Sequence, residues 1–169
     1  TYTYEQLNER SARLAQALLD VLRQNGVDPK TLTGADQNGF RIALLLPRTR
    51  EYMTAFLAVA RLGCAIIPLD DEYPAGRIQT ILADSGCDLC VSVSDLANRV
   101  RDVQTLKLDQ MPELDPDSNN DVWMTEKDDK VEDTDLWLDW SDGEREGFLL
   151  FTSGSTGKPK GVVHRQELF

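Results

Sequence analysis

The residue types most suited to chemistry fall in one run of ten: Thr152-Ser153-Gly154-Ser155-Thr156-Gly157-Lys158-Pro159-Lys160-Gly161. Its three glycines let the backbone turn sharply and bring amide groups close to a ligand. Its four hydroxyl side chains offer donors to phosphate oxygens, and its two lysines bring positive charge. The stretch from Lys158 to Arg165 holds three bases and no acid, in a chain whose formal net charge is −11. That local inversion of charge is what an anion site requires. The apolar run Phe148–Phe151 leads into the loop and Val162–Val163 follows it, so a strand feeds a glycine- and hydroxyl-rich turn. Such an arrangement suits the holding of a polyphosphate.

Two familiar phosphate loops do not fit. A Walker A loop needs a glycine five residues before its Gly-Lys, followed by Ser or Thr; here position 152 is Thr and Pro159 follows Lys158. The dinucleotide fingerprint Gly-x-Gly-x-x-Gly does not match the spacing of Gly154, Gly157 and Gly161. A plain glycine-serine linker is compositionally simpler than this and would not place lysines and a proline between apolar runs.

The elements that would position the loop have a regular order. Thr3 to Asn25 reads as an amphipathic helix, with Leu7, Leu14, Leu18, Val21 and Leu22 recurring at helical steps. Thr3 and Gln6 have capping-box spacing, and Gly26 stands where a left-handed stop is expected. Arg41–Leu46, closed by Pro47, reads as a buried strand. Arg50–Leu62 is a second helix ending at Gly63, with Tyr52 and Phe56 as core residues, and Cys64–Leu69 is a second strand. Pro74 suits the first position of a helix that runs to Gly86. Asp88–Val93 is a third strand, followed by a short helix over Leu96–Val100 and a short strand over Thr105–Leu108. This alternation predicts the α/β class, with parallel β-strands joined by crossover helices.

The acidic charge sits elsewhere. Between Leu108 and Glu146 there are 15 acids against Lys127, Lys130 and Arg145, a net of −12; the other 14 acids and 15 bases leave the rest at +1. The expected organisation is therefore an α/β part over 1–108, an acidic connector over 109–146 containing Trp123, Trp137 and Trp140, and a strand plus phosphate-binding loop over 147–169. The lack of a basic face argues against nucleic acid as a partner. The longest apolar runs, Ile42–Leu46 and Phe148–Phe151, are too short to span a bilayer, so no membrane partner is expected. Three cysteines and one histidine are too few for a disulfide framework or structural zinc site, so a reducing, cytoplasmic compartment is expected, with no bound metal. Cys87-Asp88-Leu89-Cys90 has redox-motif spacing, but residues three apart in a strand point to opposite faces, and both cysteines are expected to be small buried hydrophobes. His164 is expected to make a polar contact or lie at the surface.

The ten-residue loop resembles the signature loop of the adenylate-forming superfamily, which includes acyl-CoA synthetases, nonribosomal peptide synthetase adenylation domains and luciferases. Thr3-Tyr4-Glu5-Gln6-Leu7 is similar to the opening motif of adenylation domains. Arg61-Leu62-Gly63-Cys64-Ala65-Ile66-Ile67-Pro68-Leu69-Asp70 resembles the second motif, continued by Asp71-Glu72-Tyr73-Pro74-Ala75-Gly76-Arg77-Ile78 and by Leu82-Ala83-Asp84-Ser85-Gly86. The resemblance covers all but the acidic stretch. It implies that a carboxylate attacks the α-phosphate of ATP, giving an acyl-adenylate and pyrophosphate, after which a thiol takes the acyl group. That thiol would be a phosphopantetheine on a carrier domain, or CoA.

Carried over by position, Thr152, Ser153, Ser155 and Thr156 would donate to phosphate oxygens, Gly154 and Gly157 would permit backbone approach, and Lys160 would supply charge. Mg²⁺ would accompany the triphosphate. Phe151 stands where adenylation domains commonly have Tyr, which implies retained packing and a lost hydroxyl. Members of that family are roughly three times this length, and their adenine, ribose and catalytic-lysine motifs have no counterpart here. The resemblance therefore implies an N-terminal fragment, inactive alone, with no residue assignable as catalytic. Pro68-Leu69-Asp70 and Glu72-Tyr73-Pro74 resemble amino-acid adenylation domains more than fatty-acyl enzymes, which implies an amino-acid substrate, and His164 is more reminiscent of acyl-CoA synthetases. The rival expectation is a non-catalytic remnant or interaction module.

Overall fold

A computed structural model describes residues 3–27, 39–111, 146–153 and 159–165. The first helix, α1 (Tyr4–Gln24), starts where the capping box demands. The Thr3 hydroxyl accepts from the Gln6 amide at 3.2 Å, and the Gln6 side chain accepts from the Thr3 amide at 3.0 Å. Gly26 follows with φ of 80°, in the left-handed region. Then come β1 (Arg41–Leu45), α2 (Arg50–Arg61), β2 (Ala65–Leu69), α3 (Ala75–Ser85), β3 (Leu89–Ser92), the single turn α4 (Ser94–Ala97) and β4 (Gln104–Lys107). A 3-10 turn at Leu108–Gln110 follows, and the chain continues with β5 (Glu146–Ser153) and β6 (Pro159–Arg165). Pro74 caps α3 from just outside it, one position earlier than its sequence context predicts, and Gly86 closes that helix with φ of 61°. Glu146, at the end of the expected connector, is the first residue of β5, while 112–145 lie outside the described residues.

The strands form one six-stranded sheet in the order β4-β3-β1-β2-β5-β6. The first five pair in parallel, and β6 turns back antiparallel to β5, so the expected parallel sheet ends in a hairpin. The hairpin follows from chain length: five residues between β5 and β6 suffice for an antiparallel return and are too few for a crossover.

Alternate strand residues divide the interior into two layers. Ile42, Leu44, Ile66, Leu89 and Val91 pack with Leu14, Leu18 and Leu22 of α1 and Ala55, Ala58 and Val59 of α2. Ala43, Leu45, Ile67, Leu69 and Cys90 pack on the other side with Ile78, Ile81 and Leu82 of α3, Leu96 of α4 and Leu149 of β5. Burial on both faces explains why β1 and β2 read as unbroken apolar runs rather than alternating ones. One charged residue lies between the helices of the first layer. The buried Arg61 guanidinium donates to the Ser11 hydroxyl at 3.1 Å and to the Asn8 side-chain carbonyl, tying α2 to α1.

The cysteines depart from expectation in one respect. Cys87 precedes β3 instead of lying in it, so Cys87 and Cys90 both pack on the α3 side rather than on opposite faces. Both are free, as is Cys64. Burial pushes the Cys64 thiol up to about 12, and pushes Cys87 up to about 11 against partial relief from backbone hydrogen bonds. Burial, with Cys87 nearby, also raises Cys90.

Candidate functional site

Because β1, β2 and β5 run parallel, their carboxyl ends at Leu45, Leu69 and Ser153 share one edge of the sheet. Ligands of open α/β sheets bind beyond that edge, and the glycine loop begins there. The β5–β6 register builds its root: Phe151 lies opposite Gly161, Thr152 opposite Lys160, and Ser153 opposite Pro159. Cross-strand partners share a face, so the Thr152 and Lys160 side chains emerge together, and both are exposed. A hydroxyl-bearing residue paired with a lysine on one face of a hairpin suits a phosphate oxygen better than any apolar ligand. Ser153 contributes its backbone to the same root. Gly154, Ser155, Thr156 and Gly157, with Lys158, lie outside the described residues.

Packing holds the root of this loop in place. Phe148 stacks on Phe56 of α2, with ring centroids 5.5 Å apart, so Phe56 is core, as its helical spacing predicts. Leu149 and Phe151 face the opposite layer. A Cβ placed on Gly161 would come within 3.2 Å of Phe151 Cζ, so the Phe151 ring lies over the glycine where a larger residue would crowd it. The phenylalanine thus does packing work for which a tyrosine hydroxyl is not needed. His164 is half-buried opposite Phe148.

Other polar groups converge on the carboxyl edge without any local sequence signal. Arg48, beyond β1, pairs with Asp70, beyond β2, at 3.3 Å. The second Asp70 oxygen accepts from the Glu72 amide at 2.9 Å, shaping the turn into α3. Arg77 lies over the Tyr73 ring, 4.1 Å from its centroid. Arg99 donates to the Asp71 carbonyl at 2.6 Å.

At the opposite end of the sheet, Arg41 forms the best-formed ion pair among the described residues. Its Nε and Nη2 donate to the two Glu146 oxygens, each at 2.8 Å. That hydrogen bond raises the Arg41 pKa above its ordinary value, against the opposing effect of burial. Arg41 and Glu146 are 105 positions apart, so only the folded chain reveals the pair.

A mostly parallel sheet with helices on both faces, and a hydroxyl-rich sequence following a strand at its carboxyl edge, define an α/β protein. The chain belongs to the AMP-binding enzyme family, whose model matches residues 1–168. It is 32% identical to Surfactin synthase subunit 1 of Bacillus subtilis over 98% of this chain, which is 4% of that protein. The N-terminal subdomain of Klebsiella oxytoca NpsA, solved in complex with 3-hydroxybenzoyl-AMSN, has the same fold, with a TM-score of 0.65 at 22% identity over 98% of this chain and 34% of that one. A Mycobacterium tuberculosis fatty acyl CoA synthetase also superposes with a TM-score of 0.65, at 25% identity over 98% of this chain and 29% of that one. The chain therefore spans only a small part of the relatives it matches. Among the described residues, no helix is long and apolar enough to cross a membrane.

Proposed function

We propose that this chain is the N-terminal part of an ATP-dependent enzyme that adenylates a carboxylic acid, an amino acid in preference to others, and that its 152–160 loop grips the β- and γ-phosphates of ATP. The observation that carries the reading is the register of the β5–β6 hairpin, which pairs Thr152 with Lys160 across the two strands at the sheet's carboxyl edge. The Ser153, Ser155 and Thr156 hydroxyls and the Gly154 and Gly157 backbone would complete the cradle, and Mg²⁺ would accompany the triphosphate. The loop's work is positional and electrostatic: it orients the departing pyrophosphate and offsets its growing charge. The acyl group would pass to a phosphopantetheine thiol of a carrier domain, or to CoA. The acidic stretch from 109 would act as a connector leading up to β5, which begins at Glu146. A cytoplasmic, reducing setting fits the three free thiols.

Fatty or other acyl-CoA formation is the second reading, favoured by the likeness to the fatty acyl CoA synthetase. A non-catalytic interaction module is the third, favoured by the exposed Leu150, Val162 and Val163 on the terminal hairpin.

Calorimetric titration of the 169-residue chain with MgATP tests the loop. A charge-assisted contact predicts that Lys160→Ala weakens binding by about tenfold or more. Equal affinities would remove Lys160 from the site. The chain alone should support no acid-dependent ATP–pyrophosphate exchange, and exchange above the Lys160→Ala background would overturn that expectation.

A further inference from the structure

The run Phe148-Leu149-Leu150-Phe151 is apolar on both faces of β5. A strand's register is normally enforced by alternation, because a slip of one residue turns every side chain to the other face. Here such a slip exchanges apolar for apolar, so the pattern of β5 discriminates poorly between registers. The pairing of β5 with β2 sets Ile66 opposite Phe148. The hairpin partner is irregular between Glu146 and Phe148. Yet register decides the loop. A slip of the hairpin on β2 by one residue would carry Thr152 and Lys160 together to the α3 side.

We propose that Arg41 and Glu146 are the positioning pair that sets the register of β5 on β2, and through it the stance of the Thr152–Lys160 root. Arg41 is itself held by contacts other than Glu146. Its amide donates to Asp88 Oδ2 at 2.8 Å, its carbonyl accepts from the Asp88 amide at 2.9 Å, and its Nη1 donates to the Ser85 carbonyl at 2.6 Å. The two remaining donors, Nε and Nη2, form a fork aimed at the first residue of β5. A carboxylate matches that fork in one orientation, and the pair is mostly shielded, with side chains 22% and 12% exposed. A slip by one residue would carry Glu146 about 3.3 Å along the strand and break both hydrogen bonds. Fixed at one end by the fork and within by the Phe148–Phe56 stack, β5 presents Thr152 in one orientation.

The consequence for nucleotide binding rests on the function proposed above; the register itself does not. Glu146→Gln keeps the shape of the side chain and removes its charge. In the 169-residue chain, nuclear Overhauser contacts between Ile66 and Phe148 report the native register, and amide exchange at Leu149–Phe151 reports its persistence. The variant should show new contacts from Ile66 to Gly147 or Leu149, or exchange faster by about tenfold in β5 with α1 amides unchanged, and MgATP affinity should fall in parallel. The reversed pair, Arg41→Glu with Glu146→Arg, should restore part of the Ile66–Phe148 signal.

Retention of the native contacts and of β5 protection in Glu146→Gln would overturn the proposal, as would slowed or hastened exchange spread evenly over the whole chain. If Glu146→Gln does not fold, Arg41→Lys, which keeps the charge and loses the fork, is read by the same criteria. Failure of the unsubstituted chain to bind MgATP would sink the nucleotide reading and leave the register result standing.

Discussion

Gly161 offers a direct test of how the root of the loop is built. A Cβ added there meets Phe151 Cζ at 3.2 Å, Phe151 Cε1 at 3.3 Å and Leu149 Cδ1 at 3.5 Å, where ordinary contact begins near 3.4 Å. Alanine therefore overlaps the ring by tenths of an ångström. Phe151 is only partly buried and can tilt, and alanine gains about 0.5–1 kcal/mol over glycine within a strand. The two effects oppose, so Gly161→Ala should change stability by no more than about 0.5 kcal/mol. Valine adds two methyl groups against the same ring and Leu149, an overpacking that costs about 1–3 kcal/mol. Phe151→Ala alone should cost about 2 kcal/mol, below the usual range for a fully buried phenylalanine. If the ring is the obstacle, the double variant should lose less than the sum of the singles by about 1 kcal/mol or more. Urea titrations followed by circular dichroism supply all four stabilities. Additivity within about 0.5 kcal/mol would refute the reasoning, as would an alanine variant as damaged as the valine one.

The buried thiols make stability fall on the alkaline side. Burial raises Cys64 to about 12 and Cys87 to about 11, above the ordinary value of 9.0, so the native state prefers the protonated thiol. This contribution is complete below about pH 9 and is lost as pH rises toward the native values, on the order of 1 kcal/mol per thiol by about pH 10. Under reducing conditions, Cys87→Ala should therefore lose less stability between about pH 8 and pH 10 than the unsubstituted chain; equal losses would contradict the burial argument. At the other end of the chain, Thr3→Ala removes one half of the capping box and should cost about 1 kcal/mol, with hastened exchange in the first turn of α1. A thermal melt unchanged by that substitution would show the cap to be idle.

Local rules carried much of the fold into view before any tertiary contact was known. The Thr3–Gln6 box and Gly26 delimit α1, helices end beside Gly63 and Gly86 as their contexts predict, and the doubly buried strands read as unbroken apolar runs. These signals are legible because capping, turning and periodicity act over a few residues. The composition of the 152–161 stretch and the order of the family motifs were legible for the same reason. What remained hidden depends on residues far apart in the chain. The reversal of β6, the shared core of Cys87 and Cys90, and the Arg48–Asp70 contact each arise from how finished elements dock. The Arg41 fork on Glu146 is the extreme case: neither residue bears any mark of the other across 105 positions, and their pairing comes only when β5 is laid beside β2. Residue types determined that a glycine- and hydroxyl-rich stretch would follow an apolar strand. Docking of that strand in the sheet decided which side chains stand together at the loop's mouth, because a strand apolar on both faces leaves its own register open.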